Sequence, residues 1–188
     1  TGATTDITYK PSTHYKDSSG DLLNPDLPMI VQTAHIITTN DNNGVTSTTT
    51  YEYADGHYYY QDAFDRRFAG FGKVTATDSL GQDTVTYYHQ GNGQQGSEPN
   101  DPTDGSQIGK VWKTERKTSG GATMATTDTT WTSTSLGNDR YFVYPTQSIS
   151  NEDGKITTTT RAYNTSTGNL TSETVSFNDG QTNTTSNT

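Results

Sequence analysis

"FDRRFAGFGKV", residues 64–74, is the stretch on which the reading of this sequence turns. Two arginines precede an aromatic-and-glycine weave, and the following "KVTATD" alternates like a strand. Gly70 and Gly72 invite comparison with a phosphate-cradling loop. Such a loop needs a strand before it and a helix N-terminus after it, whereas here a strand follows. The structural reading is therefore preferred: the glycines let the backbone bend or bulge between two strands, and Phe68 and Phe71 anchor that corner in the core. Arg66 and Arg67 are candidates for an anion site. Neighbouring strand residues point to opposite faces, so one arginine is expected to pair with Asp62 or Asp65 and the other to face solvent. Val74 completes the motif and opens the next strand.

Working outward, composition sets the fold class. The chain has 188 residues, of which 27% are hydrophobic and 18 are glycine. That falls short of the roughly 45–50% apolar share of an ordinary domain, glycine included. Leu, Ile, Val and Phe are scarce enough to raise the question of disorder. Twelve tyrosines, two tryptophans and abundant threonine answer it. Tyr and Thr pack on a pleated, half-wet surface and make poor helices. The expectation is all-β: consecutive antiparallel hairpins in an extended or sandwich-like sheet, with thin or shared cores.

A net charge of −9 argues against a phosphate backbone as partner, so no nucleic acid is expected. With no cysteine there are no disulfides and no thiolate metal sites. The longest apolar run, near Leu27–Val31, is too short for a membrane span. The sequence begins at Thr1 and shows no signal peptide, and is read as a processed product or a piece of something longer.

Turn signals divide the chain. Residues 1–26 read as an irregular N-terminal segment with at most a short strand near Ile7–Tyr9. Residues 27–90 form a first hairpin unit, with "LPMIVQTAHIITT" as a strand, "NDNNG" as a hairpin turn suited to positive φ, and "ADG" (54–56) as the next turn. Residues 91–109, almost devoid of apolar groups, read as a long loop or linker. Residues 110–188 form a second hairpin unit, whose strands of about eight to ten residues alternate with Gly-bearing turns.

Candidate chemistry is sparse. His14, His35, His57 and His89 show no metal-binding spacing, and surface or sheet-edge positions are expected for them. The acidic turns, including Glu98–Gly105, lack the D-x-[DN]-x-[DN]-G pattern of a calcium loop, so they read as ordinary turns. There is no G-x-S-x-G elbow, and no carboxylate pair stands out as glycosidase-like. No cofactor and no catalytic residue is expected. Tyr58, Tyr59, Tyr60, Tyr87 and Tyr88 could stack on sugars, though packing is the plainer use. Asn164, Asn169 and Asn183 fit the N-glycosylation sequon.

The order of motifs carries a resemblance. "LP" with Val31, "YEYADG" (51–56), "RRFAGFGKV" (66–74), "DSLG" (78–81), "TYYHQ" (86–90) and "GKV" (109–111) resemble the middle region of the B component of insecticidal toxin complexes and of related RHS/YD-repeat proteins. The likeness covers about residues 27–118. Further on, Tyr163 followed by Gly168, Asn169, Leu170 and Thr171 resembles a degenerate YD repeat, with Asn164 where Asp is usual. The resemblance implies a ribbon of β-hairpins that spirals into a hollow shell, with this region as wall and no catalytic residue.

The expected function is thus a non-enzymatic structural segment of a large secreted or cell-surface protein. Its partners would be neighbouring β-repeats of the parent or other copies of itself. The alternative is a stand-alone extracellular β module that binds carbohydrate or self-assembles into a filament through strand edges. A hydrolase is the third reading, disfavoured by the missing motifs.

Overall fold

The structure is a computed structural model and describes residues 2–93 and 101–186. Its strands are β1 (Thr4–Pro11), β2 (Gln32–Asn40), β3 (Thr46–Tyr60), β4 (Arg66–Thr77), β5 (Asp83–Tyr88), β6 (Val111–Lys117), β7 (Thr123–Gly137), β8 (Arg140–Glu152), β9 (Lys155–Asn164), β10 (Asn169–Phe177) and β11 (Thr182–Ser186). A 3-10 turn, Ser12–His14, follows β1. Each strand pairs with the next, giving one open antiparallel sheet of 11 strands in chain order. The all-β expectation holds. No helix among the described residues is long and apolar enough to cross a membrane.

Threonine explains how so polar a chain makes a sheet. Thr38 and Thr48 face each other across β2 and β3 with hydroxyls 3.2 Å apart. Thr127 and Ser150 do the same across β7 and β8, as do Thr174 and Thr184 across β10 and β11. Branched side chains fit the pleat and the hydroxyls bond across it, each pair worth roughly 0.2–1 kcal/mol.

The turns reuse one device. Asp17, Asp41 and Asp78 each accept two backbone N–H bonds through Oδ1, from residues two and four further on. A glycine at positive φ follows three residues after each: Gly20, Gly44 and Gly81. The side chain thus satisfies N–H groups that the turn leaves free. Two-residue primed turns fall elsewhere, at Asn138-Asp139 and Asp153-Gly154, all four at positive φ.

Two expected boundaries move. Leu27–Val31 does not belong to a strand; β2 starts at Gln32, because the preceding residues cross the sheet as a strap. "ADG" is not a turn. β3 runs through it, with Asp55 at φ 56°, and the reversal comes after Tyr60.

The core is small and lies at the middle of the sheet. Tyr15, Ala54, Tyr59, Ala69, Phe71, Val85 and Trp112 are its buried apolar residues. Two coverings make it. The strap of residues 12–31 runs over β3, where Asn24 Nδ2 donates to Ser12 O and Tyr53 O and its Oδ1 accepts from Gly56 N–H. Residues 89–93 and 101–109 supply the other. Beyond Trp112 no described residue is buried, so β7–β11 form a sheet one layer thick.

Candidate functional site

The 64–74 stretch is not a corner between two strands. The chain reverses at 61–65, and Arg66–Thr77 is one continuous strand carrying a bulge. Tyr58 pairs with Phe68 and His57 with Gly70, so Ala69 is the extra residue. Gly70, at φ 89°, supplies the backbone conformation. The bulge brings two residues three apart onto one side: the Phe68 and Phe71 rings meet edge to face at 5.5 Å. Phe71 is buried against Tyr53, at 5.0 Å between rings. Phe68 does not anchor the core; it is 37% exposed.

Arg67 meets the expectation of an arginine paired with Asp65, at 2.8 Å, while Arg66 is exposed. Arg67 also lies 5.1 Å over the Tyr59 ring and donates to Gly105 O at 3.0 Å. The Tyr59 hydroxyl lies 2.6 Å from Gln61 Oε1 and 3.0 Å from Thr103 O, and its one proton is shared between these two acceptors. Since Arg67 and Phe68 are adjacent in a strand, the segment holding Thr103 and Gly105 lies on the sheet face opposite Phe68 and the strap.

Gln90 fastens that segment down. Its Nε2 donates to Asp55 O at 2.6 Å and Gly70 O at 3.1 Å, the two positive-φ residues of β3 and β4. A Cβ on Gly72 would lie 2.7 Å from Gln90 Oε1, so glycine there opens the seat. Beside it, His89 Nδ1 is 3.4 Å from Asp101 Oδ1, with both side chains buried. Asp101 Oδ2 accepts the N–H groups of Gln90 and Asn92. Burial alone would raise the Asp101 pKa, but the His89 contact and those N–H groups outweigh it and hold the carboxyl below its usual value. His89 is therefore interior, not at the surface or an edge. Of the acidic stretch Glu98–Gly105, residues 98–100 lie outside the described residues.

A second electrostatic knot sits on β6. Glu115 receives Lys113 Nζ at 2.8 Å, Lys117 Nζ at 3.0 Å and the Tyr87 hydroxyl at 3.2 Å. Burial opposes the charge, yet the two lysines lower the Glu115 pKa to about 2. Burial and the Glu115 charge push Tyr87 up to about 12. Such a group clamps strands β5 and β6. Among the described residues no group of three or more His, Cys, Asp or Glu could hold a metal ion.

The geometry is that of a covered bulge inside an open hairpin ribbon, and comparison places it. The protein-family model described as "Insecticide toxin TcdB middle/N-terminal region" matches residues 1–92. Residues 1–92 are thus similar to that toxin B region. A solved structure extends the fold likeness further. The crystal structure of TcdB2-TccC3-TEV matches with a TM-score of 0.70 at 14% sequence identity, over 93% of this chain. The chain spans 11% of the length of that one. No curated protein matches. The family-model match ends within the first residues of the second covering and includes the strap, β1–β5, Gly70, Gly72, His89 and Gln90.

Local patterns pick out Phe71, the two glycines and Arg67, leave Gln90, Asp101 and Asn24 unmarked, and misplace His89 at the surface or an edge. The available signal was "HQ" closing "TYYHQ" after the tyrosine pair. Its meaning depends on a contact 18 residues away, at Gly72, which no local pattern reveals.

Proposed function

We propose that the chain is a non-enzymatic wall or scaffold segment of a large, secreted bacterial protein of the toxin-complex B type. Its two hairpin units, 27–90 and 110–188, are continuous through the β5–β6 pairing. The Arg66–Val74 motif in this reading is a folding device, and Tyr163–Thr171 is a degenerate YD-like repeat. The observation that carries the proposal is the absence of buried residues among the described positions after Trp112. A sheet one layer thick buries too little apolar surface to stand alone, and repeat architectures complete such layers with neighbours. Among the described residues β1 and β11 are the two edge strands of the sheet, where preceding and following strands of a parent would pair. Scanning calorimetry of the isolated chain tests this. The expected result is a weak, broad transition that sharpens when flanking strands are supplied; one sharp, cooperative melt of a compact monomer would overturn it.

A further inference from the structure

A second open edge lies inside the sheet. β2 pairs with β3 only as far as Thr50, and the strap takes the outer side of β3 at Tyr53–Gly56 through Leu23 and Asn24. Beyond, at residues 57–60, no described strand takes that side. Gln61 N–H donates to Asp65 O at 3.0 Å, which makes 61 and 65 a hydrogen-bonded pair. Pair types alternate along an antiparallel ladder, so Tyr60/Arg66 and Tyr58/Phe68 are non-hydrogen-bonded pairs. The N–H and C=O groups of Tyr58 and Tyr60 consequently point outward, away from β4. Tyr60 is 62% exposed.

Two hollows flank this edge. One, of about 320 Å³, is walled by Pro25, Asp26 and Pro28 of the strap and reaches Asp55 and His57. The other, of about 480 Å³, is walled by Gly91, Asn92 and Thr103. The Asn92 side-chain amide is shielded from solvent, yet among the described residues neither its Oδ1 nor its Nδ2 has a hydrogen-bond partner. A buried amide with both ends unused costs free energy and calls for a partner.

We infer that residues 57–60 are a strand-addition site for an extended peptide of another polypeptide, one placing a basic side chain beside Asp26 and Asp55 and an amide side chain against Asn92. Main-chain bonds to Tyr58 and Tyr60 supply affinity, and the two hollows read alternate side chains. Charge chooses the occupant. A second copy of this chain, at net −9, would bring like charge to an acidic hollow, whereas a basic strand is attracted.

The probe is a fluorescein-labelled peptide, Thr-Thr-Lys-Thr-Thr-Asn-Thr-Thr, whose Lys and Asn sit at odd spacing and face opposite sides. Anisotropy should show saturable binding that weakens with added salt. Tyr60→Pro removes one outward N–H while sparing the β4 pairing, a substitution strand edges tolerate. With an unchanged circular dichroism spectrum, it should weaken binding about tenfold. Asn92→Leu should weaken it as well, and a Lys-to-Glu peptide should not bind. Absent binding, equal binding by Tyr60→Pro, or sedimentation showing that a second copy blocks the peptide would each overturn the inference.

Discussion

Gln90 and Gly72 fit together only because one of them has no side chain: the Gln90 Oε1 atom lies 2.7 Å from where a Cβ on residue 72 would be. Gly72→Ala should therefore displace Gln90 and release its bonds to Asp55 and Gly70, at a cost of about 1–3 kcal/mol. In a double-mutant cycle measured by urea unfolding, Gly72→Ala and Gln90→Ala should be strongly non-additive, since either alone disrupts the same seat. Additive effects would place the role of Gly72 elsewhere.

Gly70 should fail for a different reason. A Cβ there meets nothing within 4 Å, but φ is 89°. Gly70→Ala should cost about 1–2 kcal/mol through backbone strain. Unlike at position 72, replacing Gln90 as well should not relieve that strain, which the same unfolding assay reads directly.

How much of this was legible follows from distance along the chain. Threonine and tyrosine content, with Gly-bearing turns, specifies hairpins locally, and the strand order is simply the chain order. Phe68 and Phe71 sit three apart, which a regular strand would place on opposite faces; only the Ala69-Gly70 bulge joins them. "ADG" looks like a turn because Asp55 does adopt positive φ, but Leu23 O binds its N–H and keeps the strand running. The strap and the covering of residues 89–93 and 101–109 reach partners 18 residues away or more, and local residue preferences carry no information about them.

Asn24 ties three parts of the strap crossing, bonding Ser12 O, Tyr53 O and Gly56 N–H. Asn24→Ala would leave these buried groups unsatisfied and should destabilise by about 2–4 kcal/mol. Limited proteolysis should then cut within 12–31 well before it cuts β4. Unchanged resistance would mean that the strap is held by other contacts.

Acid should loosen the β5–β6 clamp. The folded Glu115 pKa is about 2, against an ordinary value of 4.5. A depressed carboxyl pKa contributes stability that is present above the unfolded value and lost as pH falls through the folded one. The Glu115 contribution, on the order of 1–3 kcal/mol before allowance for its partly exposed lysines, should fade between about pH 5 and pH 2. Glu115→Gln should flatten that part of the stability–pH curve, and a curve unchanged by the substitution would refute the clamp.

In the proposed wall segment an ordered middle, covered on both faces, passes into a bare sheet that depends on neighbours. Amide hydrogen exchange on the isolated chain, read by mass spectrometry, tests it most directly. We expect strong protection in β3–β5 and at the backbone N–H groups of Gln90 and Asn92 held by Asp101, and rapid exchange through β7–β11. Protection of residues 123–186 equal to that of 51–88 would contradict it.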